Sequence, residues 1–257
     1  MTAALSPRDE RLLKDTFPAP RDYEQAVRRL QDREPLAYVL GEWYFYDETY
    51  RVSPACLVPR PETEHLVEEL VKRLPKGAIF ADLCTGSGCI AISTLAHRPD
   101  CRAVAVDLSE EALSLAKENA ALNGVTDRIT FLYADVLNGH ALGDTRFDAI
   151  VSNPPYIVTE VIDTLEPEVL CEPRMALDGG EDGLLFYRVL VNDYRKNIKN
   201  DGFLLFEIGY DQGAALKSLC PCEIKKDYSG NNRVALWFPD AEASCGVCLH
   251  SPANPCV

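Results

Sequence analysis

No apolar run in the 257-residue chain approaches the roughly 20 residues needed to cross a bilayer, which excludes a transmembrane helix. Residues 1–8 have neither the basic start nor the long apolar core of a signal peptide. The protein is therefore expected in the cytoplasm, with its 10 cysteines mostly reduced and several of them, Cys220 and Cys222 included, serving as packing thiols. Positive charge is in deficit: 26 Lys and Arg stand against 40 Asp and Glu, a formal net charge of −14. Such a surface gains nothing from counterion release on a phosphate backbone, so no direct nucleic-acid partner is expected. Histidine is scarce, and the 4 present show no ligand spacing; His65 and His97 fall on helical stretches. The sequence Cys245-Gly246-Val247-Cys248 with His250 and Cys256 is half a zinc pattern without a regular second pair, and no metal is expected. Internal repeats are lacking too.

What is present is an ordinary hydrophobic share, 47%, enough for one main domain with a small attachment. Residues 1–34 read as a short helical segment. Ser6-Pro7 supplies an N-cap and a first-turn proline for a helix through Phe17, and a second helix runs over 21–33. Residues 35–60 read as a linker with a hairpin, formed by 43–46 and 49–52 around Asp47-Glu48. A helix over 62–74 follows. From Ala78 strands at 78–83, 102–107, 129–134, 147–152 and 203–208 alternate with helices at 88–97, 109–123 and 183–198. This pattern predicts an α/β fold with a doubly wound, mostly parallel sheet and helices on both faces. Segments 223–227 and 233–238 flank a turn and predict a terminal antiparallel hairpin. Residues 241–257 show no periodicity and read as a flexible, cysteine-containing tail.

Two stretches carry chemistry. Asn153-Pro154-Pro155-Tyr156 follows an apolar strand, and its prolines stop sheet pairing abruptly because neither has an N–H to donate. The corner sets an amide side chain, a backbone carbonyl and an aromatic ring at a strand's carboxyl end, where open α/β sheets bind ligands. Such a group can accept hydrogen bonds from a substrate –NH2 while the ring packs on its flat face. The second stretch, Asp82-Leu83-Cys84-Thr85-Gly86-Ser87-Gly88, lies at the first strand-to-helix turn. Its glycines allow a tight turn and close approach to a ligand. Asp107 ends the second strand, where a carboxylate can take both hydroxyls of a ribose, and Asp135 ends the third, within reach of the same ligand's base. Gly86-x-Gly88-x-x-Ala91 also fits a dinucleotide-binding dehydrogenase. Asp82 favours a ligand carrying an ammonium, such as S-adenosylmethionine, over a pyrophosphate of like charge.

Assembled, these residues resemble the release-factor glutamine methyltransferases, the PrmC/HemK family. The resemblance spans roughly residues 34–238 and is carried by Pro35-Leu36-Ala37-Tyr38 with Gly41, Val58-Pro59-Arg60-Pro61-Glu62-Thr63-Glu64, the 82–88 turn, Val151-Ser152 with the N-P-P-Y corner, Glu172-Pro173-Arg174-Met175-Ala176-Leu177, and the 227–234 turn. It implies a class I methyltransferase domain over 61–240 that uses S-adenosylmethionine and releases S-adenosylhomocysteine. Cys84, Thr85, Gly86, Ser87, Gly88, Asp107, Val136 and Asn153 would line the cofactor site, with Asp82 and Asp135 beside them. Asn153, Pro154, Pro155 and Tyr156 would hold the glutamine of a release factor's Gly-Gly-Gln motif and position its side-chain nitrogen for methylation. The enzyme is expected to act as a monomer on its protein partner.

The sequence departs from the family twice: Cys84 stands where glycine is usual, and the helical segment before Pro35 is short. An adenine or other exocyclic-amine methyltransferase also uses N-P-P-Y, and is the rival reading. Glu166, Glu168 and Glu172 fit an acidic rim for a basic partner and equally a solvated loop.

Overall fold

The computed structural model describes residues 5–239; the Cys245–Cys256 pattern and the expected tail lie outside them. Two short helices open the chain, α1 (Pro7–Thr16) and α2 (Pro20–Gln31). The Ser6 hydroxyl accepts from Asp9 N at 3.1 Å, so the cap expected from the sequence is formed. A five-residue helix, α3 (Leu36–Leu40), follows where a linker was expected; Gly41, at φ +77°, ends it in the left-handed region. The hairpin is present as β1 (Glu42–Phe45) and β2 (Glu48–Arg51). A 3-10 turn at Pro61–Thr63 leads into α4 (Glu64–Arg73).

The main unit then alternates as the sequence predicts: β3 (Ile79–Leu83), α5 (Cys89–His97), β4 (Arg102–Asp107), α6 (Glu110–Leu122), β5 (Ile129–Tyr133) and β6 (Phe147–Ser152). Two four-residue helices, α7 (Thr159–Ile162) and α8 (Pro167–Leu170), precede α9 (Leu185–Asp193). The chain closes with β7 (Ile198–Glu207), α10 (Gly213–Leu219), β8 (Glu223–Lys226) and β9 (Asn232–Trp237). The sheet order is β5-β4-β3-β6-β7-β9-β8, parallel through β7 and antiparallel at β9 and β8. This is the doubly wound architecture with a terminal hairpin. β7 begins five residues earlier than the sequence indicates. Lys199-Asn200-Asp201-Gly202 has turn chemistry, and the sheet absorbs it as an irregularity in the β6–β7 register, with Asp201 at φ +65°.

Alternate residues of each strand enter opposite cores. Phe80, Ala105, Val151 and Leu205 pack with Leu66, Leu70, Ile92 and Leu95 of α4 and α5. Ala81, Val106, Ile150 and Phe206 pack with Tyr187 and Leu190 of α9 and Leu216 of α10. Both faces of the central strands β3, β6 and β7 are buried, so they read as continuous apolar runs and not as alternating ones. The chain order reverses direction at β3: β4 and β5 extend the sheet one way, β6 and β7 the other. The crevice at the carboxyl ends of β3 and β6 is therefore the switch point.

Candidate active site

Leu83 and Ser152 are register partners on adjacent parallel strands, and the Ser152 hydroxyl donates to the Leu83 carbonyl at 2.6 Å. The glycine turn after β3 and the diproline corner after β6 thus leave the sheet side by side. Both open on one cavity of about 500 Å³. That size suits a small-molecule ligand.

The turn is held from below. Thr85 N donates to Val106 O at 3.0 Å, and the Thr85 hydroxyl donates to Asp82 Oδ2 at 2.6 Å. Cys84 and Gly86 adopt left-handed backbone, at φ +62° and +54°. Glycine tolerates this; cysteine does so at a cost of roughly 1–2 kcal/mol. Cys84, Thr85, Gly86 and Ser87 line the cavity. Gly88 does not. A Cβ there would meet Ile92 Cδ1 at 2.8 Å and Ala116 Cβ at 3.2 Å, so its bare backbone serves the close packing of α5 on α6. Asp82, expected to face an ammonium, also stands away from the cavity surface: its side chain is fully buried and its Oδ1 has no partner among the described residues. Asp82 anchors the turn.

On the next strand, Asp107 Oδ2 accepts from Gly86 N at 2.8 Å and Oδ1 from Ser109 N at 2.9 Å. Each oxygen keeps one further acceptor site. Burial raises this carboxyl above the usual range, against the pull of those backbone N–H groups. Asp135 Oδ1 accepts from Leu137 N at 2.8 Å, and Val136 O from the Tyr194 hydroxyl at 2.9 Å. Asp107, Asp135 and Val136 all border the cavity.

At the corner, Asn153 and Pro155 line the cavity, whereas Pro154 and Tyr156 do not. Asn153 Nδ2 donates to Thr63 Oγ1 at 3.1 Å, and the Thr63 hydroxyl donates to Glu207 Oε2 at 2.6 Å. Tyr156, expected to pack on a substrate amide, instead donates its hydroxyl to Glu207 Oε1 at 3.3 Å. Its backbone is crowded by glycines: a Cβ on Gly179 would sit 2.6 Å from Tyr156 Cα, and one on Gly183 would sit 2.5 Å from Tyr156 O. The Gly-rich run at 179–183 therefore exists to pack on this corner, which sequence reading did not assign.

Residues 55–60, treated as linker in the sequence, form one wall of the cavity. The Tyr38 hydroxyl donates to Cys56 O at 2.6 Å, and Glu172 binds this wall twice, accepting from Val58 N at 3.1 Å and pairing with Arg60. Glu172 is 5% exposed. Glu168 pairs with Arg33 at 3.0 Å. Glu172 is thus a buried structural carboxylate and not part of an acidic rim, whereas Glu168 stays at the surface. Thr63 and Glu207 were also missed as site residues. For Glu207 the available signal was a carboxylate closing an apolar strand; for Thr63 it was its place in the 58–64 motif.

Comparison with known proteins gives the family. The release factor glutamine methyltransferase of Caulobacter vibrioides is 44% identical over 219 residues, covering 82% of this chain and 75% of that protein. That of Thermodesulfovibrio yellowstonii is 40% identical over 221 residues, covering 82% and 78%. The chain belongs to the release factor glutamine methyltransferase family. A family model, the methyltransferase small domain, matches residues 61–187. Among solved structures, a methyltransferase from Pyrococcus furiosus superimposes with a TM-score of 0.55 at 19% identity, covering 73% of this chain and 86% of that one. The ribosomal protein L11 methylase of Lactobacillus delbrueckii subsp. bulgaricus gives 0.52 at 24%, covering 72% and 82%. These two likenesses establish the class I methyltransferase fold.

The methyltransferase turn carries a pH signature. Burial pushes the Asp82 carboxyl up to about 7, outweighing the hydrogen bond from Thr85. Between pH 4 and 7 the folded chain holds a proton that the unfolded chain has released, so stability falls as pH rises through this window and the loss is complete above it. The size of the effect is roughly 2–4 kcal/mol. Asp82→Asn should flatten that slope in the ligand-free protein. Thermal midpoints from pH 4 to 8 with equal slopes in both proteins would remove Asp82 as its source.

Proposed function

We propose that the protein transfers a methyl group from S-adenosylmethionine to the side-chain amide nitrogen of the glutamine in a release factor's Gly-Gly-Gln motif. It would do so as a monomer in the cytoplasm, where translation terminates. The observation that carries this reading is the orientation of Asn153. Its nitrogen is turned inward to Thr63, which leaves Oδ1 as the acceptor on the cavity that also holds the glycine turn and Asp107.

The residues fit the cofactor. Asp107 has an acceptor site left on each oxygen for ribose hydroxyls, and Asp135, Val136 and Leu137 lie at the far end for the base. Thr85, Gly86 and Ser87 would flank the amino-acid part. When bound, S-adenosylmethionine supplies an electrophilic methyl on a sulfonium. The protein's contribution is placement. An amide nitrogen is a weak nucleophile because its lone pair is delocalised into the carbonyl. Asn153 Oδ1 and the Pro154 carbonyl would accept from its two N–H groups, fix its position and stabilise positive charge as it develops. Tyr156 supports the corner from behind through Glu207. No side-chain base is required, since the methylated nitrogen loses its proton readily to water.

Incubation with methyl-labelled S-adenosylmethionine and either a release factor or DNA tests the reading. Label on the tryptic peptide containing Gly-Gly-Gln is expected. Label on DNA, or on neither, would overturn it.

A further inference from the structure

Behind Asn153 stands a carboxylate that touches no ligand surface. Glu207 ends β7, beside β6, and is 2% exposed. It receives the Thr63 and Tyr156 hydroxyls, at 2.6 and 3.3 Å; burial raises this carboxyl, while the Thr63 hydrogen bond and the charge of Arg233, whose own ion pair is with Asp227, favour its ionised form. Burying a carboxylate without a direct cationic partner is expensive, and an apolar side chain of similar volume is often no worse for stability.

The order of donors explains what the charge does. A carboxylate only accepts, so the single Thr63 proton must point at Glu207. The Thr63 oxygen then has only lone pairs to offer Asn153, and the Asn153 amide must turn its nitrogen toward it. A flipped amide would bring Oδ1 against an oxygen with no proton to give. We propose that Glu207 is a positioning residue that fixes, through Thr63, which end of the Asn153 amide faces the cavity, and so selects substrates that arrive with an N–H. A substrate presenting a carboxylate at this place meets an acceptor and is refused. The inference rests on the reading of Asn153 as the acceptor for the substrate nitrogen.

Two pairs of variants separate polarity from packing. Glu207→Leu and Thr63→Val remove the acceptor and the hydroxyl. Glu207→Gln can still turn a carbonyl oxygen to Thr63 with its –NH2 toward the Tyr156 oxygen, and Thr63→Ser keeps the hydroxyl. The Asn153 side-chain amide resonances, assigned by their loss in Asn153→Asp, report the inward hydrogen bond as slow proton exchange. In Glu207→Leu and Thr63→Val, exchange should be about tenfold faster or more, kcat should fall about tenfold, and the KM for S-adenosylmethionine should hold. The Gln and Ser variants should restore most of both. Unchanged exchange in Glu207→Leu and Thr63→Val overturns the proposal, as does loss of cofactor affinity in all four variants, which would mark a packing role. If exchange responds as described but the wild type does not label a release factor, the positioning role stands and the substrate reading falls.

Discussion

Asn153→Ala is expected to lower turnover by about 100-fold or more while leaving S-adenosylmethionine affinity nearly unchanged, an effect of the size seen when one preorganised polar group is removed from a reacting centre. The side chain is truncated where its amide oxygen meets the cavity at the end of β6. Its hydrogen bond runs to Thr63, and the 84–88 backbone has its own supports from Val106 and Asp107. Loss should therefore appear in kcat and not in cofactor binding. Single-turnover rates with saturating release factor, together with calorimetry for the cofactor, separate the two. A variant that retains turnover would refute the role of Asn153.

Asp107→Ala should act the other way, weakening cofactor binding by roughly 100-fold, since two hydrogen bonds to a charged group contribute about 1.5 kcal/mol or more each. The carboxylate does two things at once. It ties Gly86 N and Ser109 N together, so the glycine turn and the start of α6 share one anchor, and it keeps an acceptor site on each oxygen for ligand hydroxyls. Asp107→Asn, which retains an acceptor for one of the two N–H groups, should fall between wild type and alanine. Calorimetry showing equal affinity for Asp107→Ala and wild type would remove Asp107 from the site.

The sheet was legible because the strands between Ala78 and Ser152 are short apolar runs separated by turn residues and helical stretches, and Ser109 caps α6. The start of β7 was hidden, since Asn200-Asp201-Gly202 spells a turn and only pairing with β6 draws it into the sheet. At the site, the residues that front the cavity were readable from strand-end position: Asp107, Asp135 and Asn153. Thr63, which also borders the cavity, and Glu207, which supports it from behind, were not. Thr63 and Glu207 are 144 residues apart in the chain, as the Thr63–Glu207 hydrogen bond records, and no local pattern joins them. Asp82 was placed at the right turn but on the wrong side of its wall, because spacing does not say which face of a buried strand end a side chain takes. The wall formed by 55–60 depends on Tyr38 and Glu172, contacts between distant segments that only folding reveals.

Three cysteines border the cavity, Cys56, Cys84 and Cys89, and their thiols raise a hazard of self-alkylation. A thiolate beside an activated methyl is a far better nucleophile than any amide, and thiolate, not thiol, is the reacting form. Burial pushes the Cys56 thiol up to about 12 and raises Cys84 and Cys89 further, and the nearby Asp107 charge adds a smaller effect at Cys56 and Cys84. All three sulfurs therefore stay protonated at physiological pH. The dry packing around the glycine turn keeps the enzyme from consuming its methyl donor on itself.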